Sequence, residues 1–300
     1  MRTFAHFLDS RKTVTTTRFW EQLSEATGYT YDLEVIETGQ SAYQRYEVGV
    51  SPLFGRMFRL DGCAMTSEAD EFIYHENLIH VPALAHPAPR RALIIGGGDG
   101  GSADELLKYP TMEAIDLVEL DEAVITLARK YFDKVHHGAL DHPKVHLRIE
   151  DGLRFVADCV QQGNPGYDLI ILDLTDPVGP AAALYEESFL NRCAALLGER
   201  GLISLHIGPP DHQPERVRRL VARLQKVFRF VYPHFHYIPI YGALWGLAAA
   251  SQGTDCCALS AADVDQRIAE RGIGALNYLD GETYRARAIL PRYLKRLLDR

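Results

Sequence analysis

The 300-residue chain is 47% hydrophobic with a formal net charge of −8 at neutral pH. That is enough apolar material for a full core, and the wrong sign for a protein that grips phosphate backbones through clustered Lys and Arg. No apolar run approaches the roughly 18 residues of a membrane helix, and the N-terminal "MRTFAHFLDSRK" lacks an apolar stretch behind its basic start, so a cytoplasmic protein bound to neither nucleic acid nor membrane is expected.

Five cysteines, Cys63, Cys159, Cys193, Cys256 and Cys257, are odd in number and show no CxxC spacing, which predicts reduced thiols. In the N-terminal segment, Phe4, Phe19 and Trp20 fit either an oligomer contact or a helix laid on the strands that follow. From Tyr29 to Thr66 the runs "YTYDLEVIETG", "AYQRYEVGVS", "GRMFRL" and "CAMT" are split by Gly39, Pro52, Gly55 and the Asp61-Gly62 turn signal, the pattern of a small antiparallel β-unit. At Asp70 the spacing changes to a helical one, with Phe72, Ile73, Leu78 and Ile79 in phase and an expected end near Pro82.

Beyond Arg91 the apolar runs "RALIIG", "AIDLVEL", "VHLRIE", "YDLIILDL" and "GLISLHI" alternate with "GSADELLKY", "EAVITLARKYF", "GLRFVADCVQQ" and "YEESFLNRCAALL". Near-continuous apolar strands between amphipathic helices predict a doubly wound parallel sheet. "PERVRRLVARLQK" sets its basic residues against Val217, Leu220, Val221 and Leu224 and reads as a helix with a solvated basic face. "FRFVYPHFHYIPIYGALWGLAAAS" predicts two antiparallel strands broken near Pro239 to Gly242, and "NYLDGETYRARAILPRYLKRLL" a loop and closing helix. His234 and His236 share a strand face without a third ligand nearby, and His136-His137 reads as a solvated pair. The division expected is an N-terminal segment with a β-stranded domain over 1–68 and an α/β Rossmann-like catalytic domain over 69–300.

Ligands of open α/β sheets bind outside the carboxyl ends of the strands. Here four successive exits are acidic: Asp99 in "GGGDGG", then Glu119, then Glu150 and Asp151, then Asp173 and Asp176. Singly these could be helix caps or turn residues. Together they point to a cationic ligand, since like charges crowded on one rim repel. Gly96, Gly98 and Gly101 satisfy GxGxxG with Glu119 about 20 residues on, but Asp99 would oppose a pyrophosphate. Glu119 suits a ribose diol and Asp151 a base amino group, which together describe an adenosine with a cationic tail.

The motifs "YQRYEV", "GRMFRLDG", "DEFIYHE", "LIIGGGDGG", "VELDEAVI" and "YDLIILDLTDPVGP", in this order, resemble the polyamine aminopropyltransferases, the spermidine and spermine synthase family. The resemblance implies a methyltransferase-like Rossmann domain behind a small N-terminal antiparallel β-domain, assembled as a homodimer or homotetramer. It also implies transfer of the aminopropyl group of decarboxylated S-adenosylmethionine to an amine such as putrescine, with release of 5'-methylthioadenosine. The donor is then a co-substrate, and neither a cofactor nor a metal is implied.

By the same resemblance Gln44, Asp99, Glu119, Asp151, Gly152 and Pro180 hold the donor, while His75, Asp99, Asp173 and Asp176 surround the amine. Asp173 accepts the proton, with Tyr74 and Tyr241 beside the reacting nitrogen. Met65, Asp104, His206, Ile240 and Tyr284 depart from the family's usual residues, and their expected place is the acceptor end. Two other readings stand beside this one. An amine N-methyltransferase would use intact S-adenosylmethionine, whose carboxylate Asp99 should repel. A non-catalytic polyamine- or nucleoside-binding protein would have no need of Asp173, Tyr74 and Tyr241 together.

Overall fold

The structure is a computed structural model that describes residues 16–299 apart from 164, 165, 178 and 275. Phe4 lies outside the described residues. Its first sheet runs in sequence order β1 (Thr16–Gln22), β2 (Gly28–Gln40), β3 (Arg45–Ser51), β4 (Gly55–Leu60) and β5 (Cys63–Ser67), all antiparallel. The four expected strands are present, and the segment holding Phe19 and Trp20 is a fifth strand rather than a helix. It was hidden because six of its seven residues are exposed or half-buried, so no apolar alternation marks it. Arg59 lies over the Phe19 ring at 4.2 Å and fixes that edge strand against the sheet.

Helix α1 (Glu71–Ala85) follows and carries straight through Pro82, where an end was expected. Proline removes one backbone donor and costs about 3 kcal/mol in a helix interior. Here Val81 and Leu84 are fully buried, and full burial of each such side chain contributes about 1.5–3 kcal/mol. Tertiary packing therefore outweighs the break.

The second sheet begins with β6 (Arg91–Gly96), α2 (Gly101–Leu107), β7 (Ala114–Glu119), α3 (Glu122–Tyr131), the short α4 (Asp133–His136), β8 (Val145–Ile149), α5 (Gly152–Gln161) and β9 (Tyr167–Asp173). It continues through α6 (Glu187–Leu196), β10 (Leu197–Gly208), α7 (Pro214–Val227), β11 (Phe230–Ile238) and β12 (Ala243–Ser251). Helices α8 (Ala261–Arg271), α9 (Gly281–Ala286) and α10 (Arg292–Leu297) close the chain. The expected single closing helix is thus two short ones, preceded by a further helix.

Strand order is β11-β12-β10-β9-β6-β7-β8. Strands β6 to β10 pair in parallel, and the β11–β12 hairpin adds antiparallel to β10. The apolar runs are explained by two-sided burial: Ile94, Leu169, Ile171 and Leu202 pack into one core, while Leu93, Ile170, Leu172 and Ile203 pack into the other. From β6 the chain proceeds to β7 and β8 on one side, then returns to β9 on the other. The gap between the carboxyl ends of β6 and β9 is the topological switch point, where such sheets open a crevice.

One further reading is corrected here and one is borne out. His136 is buried, with its Nδ1 accepting from the Gly138 amide at 3.0 Å, and only His137 is solvated, 3.2 Å from Asp104. His234 and His236 are both buried and bonded to each other at 2.7 Å, and His236 continues to the Tyr278 hydroxyl. Among the described residues no helix is long and apolar enough to cross a membrane, and no disulfide joins any of the five cysteines.

Candidate active site

The switch point opens into a cavity of ≈ 590 Å³ walled by both sheets. Its floor is the glycine loop after β6. Gly97 has φ +65° and donates to the Asp173 carbonyl at 2.8 Å, and a β-carbon there would lie 3.0 Å from the Asp173 carboxylate, so only glycine fits both demands. Gly101, the first residue of α2, lies flat under the His75 imidazole, which any side chain at that position would strike. Asp99 caps this turn by accepting from the Gly101 amide at 3.2 Å.

At one end of the cavity stand Glu119, Asp151, Gly152 and Gln44. Burial pushes the Glu119 carboxyl up to about 7, partly offset by the amides of Asp121, Leu120 and Gly98. Asp151 caps α5 through the Leu153 amide at 2.8 Å while lining the cavity, so its cap and site roles coexist. Gln44 reaches across from the β2–β3 connection to Asp121 at 3.0 Å, and Ser41 bonds the same carboxylate at 2.6 Å. Asp121 itself caps α3. Sequence reading had not singled out this residue, which ties the first sheet to the glycine-loop end. The side chain of Pro180 lies outside the described residues.

The centre is built from α1 and the end of β9. Asp173 accepts from Ser102 Oγ at 2.7 Å and from the Tyr74 hydroxyl. Burial and neighbouring Asp99 raise its carboxyl, while His75 pulls it down; the net shift is upward. His75 Nδ1 is 2.6 Å from Glu71, and Nε2 is 3.7 Å from Asp99 and 3.8 Å from Asp173. Burial would depress this imidazolium, but Asp99, Glu71 and Asp173 together hold it up at about 10. His75 is therefore a built-in cation among three carboxylates. The ligand atoms of His75, Asp99 and Asp173 lie within 4.8 Å of one another, the spacing of a metal triad.

Tyr74 and Tyr241 meet edge to face at 6.1 Å, and burial holds both phenols well above the usual range. Tyr74 points its hydroxyl at Asp173. Tyr241 donates to the Met65 carbonyl at 2.9 Å, anchoring β5 to the turn after β11.

The far end holds Glu21 of β1, Cys63 and Met65 of β5, Asp176, His206, Gln213, Ile240 and Trp245. Asp176 does not await a ligand as a bare carboxylate: Arg216 of α7 grips it with both nitrogens, at 2.7 and 2.8 Å. Arg216 is 8% exposed, so the basic helix is not simply solvated. The clue lay in its position, four residues before Leu220 and on the apolar stripe. Glu21, also missed, accepts from the Ala64 amide at 3.1 Å and Tyr31 at 3.2 Å. Of the unusual residues, Met65, His206 and Ile240 line this cavity, whereas Tyr284 is buried under α1, bonded to the carbonyls of Val81 and Cys256, and Asp104 faces His137.

A spermine/spermidine synthase domain matches residues 71–259. The chain is 44% identical over 271 residues to a polyamine aminopropyltransferase of Nitrosomonas europaea, covering 90% of this chain and 82% of that one. It is 35% identical over 278 residues to polyamine aminopropyltransferase 1 of Pseudomonas aeruginosa, covering 92% and 96%. Among solved structures, spermidine synthase in complex with the transition-state analogue AdoDATO superposes with a TM-score of 0.87 at 33% identity, over 99% of this chain and 98% of that one. Spermidine synthase from Thermotoga maritima gives 0.84 at 31% identity over the same shares.

Proposed function

The chain belongs to the spermine/spermidine synthase family and is a polyamine aminopropyltransferase, and from that premise we propose how its cavity divides the work. Decarboxylated S-adenosylmethionine lies over the glycine loop, its ribose diol on Glu119, its adenine toward Asp151 and Gly152, and its ammonium on Asp99. The amine, of which putrescine is the simplest, enters from the β9–β10 side and places one nitrogen at Asp173. The observation that carries this division is a single crevice with carboxylates at both ends and at its centre, the surroundings that two cationic substrates require.

Acidic walls gather the substrates but also favour the unreactive ammonium form of the acceptor. The His75 imidazolium, 3.8 Å from Asp173, opposes that effect and helps the nitrogen lose one proton to solvent before it attacks. The neutral nitrogen attacks the carbon beside sulfur; the N–C bond forms as the C–S bond breaks, and its electron pair leaves on methylthioadenosine. The proton left on the new secondary ammonium passes to Asp173. Burial raises the Asp173 carboxyl toward the range where a carboxylate is an effective base. Tyr74 orients Asp173, and the Tyr241–Met65 bond holds the wall beside the nitrogen.

Asp99 also selects the donor, since intact S-adenosylmethionine would bring its carboxylate against it. The donor is consumed as a co-substrate, and the reaction as drawn needs no metal or separate cofactor. This reading places the protein in the cytoplasm as a homodimer or homotetramer. Incubation with the decarboxylated donor and putrescine, with methylthioadenosine and product mass followed together, tests it. A preference for intact S-adenosylmethionine, yielding a methylated amine, would replace it with the methyltransferase reading.

A further inference from the structure

The far end of the cavity has its own charge pattern. Arg216 Nη1 lies 2.7 Å from Asp176 Oδ2 and Nη2 2.8 Å from Oδ1, while Nη1 also donates to Gln213 at 2.9 Å and Nη2 sits 3.4 Å from His206 Nδ1. His206 is in turn 2.5 Å from the Tyr185 hydroxyl and stacked on Trp245, with centroids 6.0 Å apart. Burial and the guanidinium push its imidazole down to about 4, so it is a neutral brace. The guanidinium is thus held in place on several sides. Any ammonium approaching Asp176 meets a carboxylate that already accepts from a guanidinium at each oxygen, with that fixed cation under 3 Å away.

Glu21 differs. Its partners are a neutral amide and a neutral phenol, and its neighbour Arg59 is bonded to Glu47 and the Gly62 carbonyl. Glu21 lines the cavity and feels Asp176 across it. Past the reacting nitrogen, Glu21 therefore offers an ammonium a carboxylate not already bound to a cation, as does Asp70, whose partners are the Ser67 hydroxyl and the Ile240 amide.

We propose that Arg216 sets acceptor length: by occupying Asp176 it leaves room for the second ammonium of a diamine and turns away the third ammonium of a triamine. The inference rests on the aminopropyltransferase reading. Arg216 does not touch the amine; it acts through Asp176 and is a positioning residue that determines specificity.

The experiment measures kcat/KM for putrescine and for spermidine by methylthioadenosine release, in the wild type, Arg216→Met, Arg216→Lys and Asp176→Asn. The wild type favours putrescine at least tenfold. Arg216→Met, which frees Asp176, raises the spermidine-to-putrescine ratio at least tenfold, and Arg216→Lys returns it toward the wild-type value. Asp176→Asn, which leaves the guanidinium without its counter-charge, lowers the ratio further by at least threefold and serves if Arg216→Met does not fold. Equal use of both amines by the wild type, an unmoved ratio in a folded Arg216→Met, or a ratio at or above wild type in Asp176→Asn overturns the proposal. No turnover with any amine overturns the enzymatic reading itself and the inference with it.

Discussion

Asp173→Asn isolates the proton acceptor. The substitution is nearly isosteric, and an amide oxygen can still accept from either Ser102 or Tyr74, which hold the carboxylate now. What disappears is one negative charge and the basicity of one oxygen. Loss of a positioned general base costs about 10²–10⁴ in rate, or about 3–5 kcal/mol of transition-state stabilisation. Donor affinity should change by no more than about threefold, because Glu119 at the end of β7 and Asp151 at the start of α5 keep their partners. The assay pairs single-turnover methylthioadenosine release with calorimetric binding of the decarboxylated donor. A rate within about threefold of wild type, with donor binding intact, would show that the proton leaves by another route and would refute the assignment.

Glu119 makes donor binding depend on pH. Its folded carboxyl is raised to about 7, so ionising it costs the free protein stability as pH climbs from the ordinary carboxylate range through about 7. The diol binds the ionised form, so donor affinity should rise as pH passes about 7, and Glu119→Gln should flatten that rise in a calorimetric titration. Glu105 behaves oppositely: burial would raise its carboxyl, but His80 at 2.7 Å and Lys108 overcome it and bring it down to about 2. The stabilisation, on the order of 3 kcal/mol, is present above the ordinary carboxylate range and lost as pH falls toward 2. Glu105→Gln should therefore lower Tm at neutral pH and leave a smaller difference near pH 2. His75, held at about 10 by Asp99, Glu71 and Asp173, should lose its hold when two substrate cations enter. Calorimetry at about pH 9 in buffers of different ionisation enthalpy should show proton release on ternary-complex formation, and His75→Gln should reduce it, leaving only the proton that the acceptor nitrogen gives up.

The parallel strands were legible because burial on both faces leaves a run such as "LIILDL" almost without polar interruption. Their carboxyl ends were legible for the same reason, since a carboxylate that closes such a run has nowhere to go but the rim. Asp99, Glu119, Asp151 and Asp173 all meet in one cavity as that argument requires. Elements fixed by long-range packing were not legible. The strand carrying Glu21 is an edge strand with little apolar signal, and α1 ignores Pro82 because its burial comes from both sheets' neighbours rather than from its own pattern. Arg216 was read as surface because one arginine among several on a basic helix says nothing of a carboxylate 40 residues away.

Much of the repulsion along the rim of carboxylates is answered within the protein: Asp176 by Arg216, Asp99 and Asp173 by His75, and Glu119 by its raised carboxyl. The carboxylates that mark the crevice for cations are therefore not equally open to them. What sets them apart is the difference between a cation that can give way and one that cannot. His75 can discharge by losing a proton when a substrate ammonium arrives. Arg216 cannot, because a guanidinium stays charged at any pH the protein survives. One end of the crevice is consequently able to exchange its internal positive charge for a substrate's, and the other keeps its own. Acceptor entry is encouraged at the first and limited at the second.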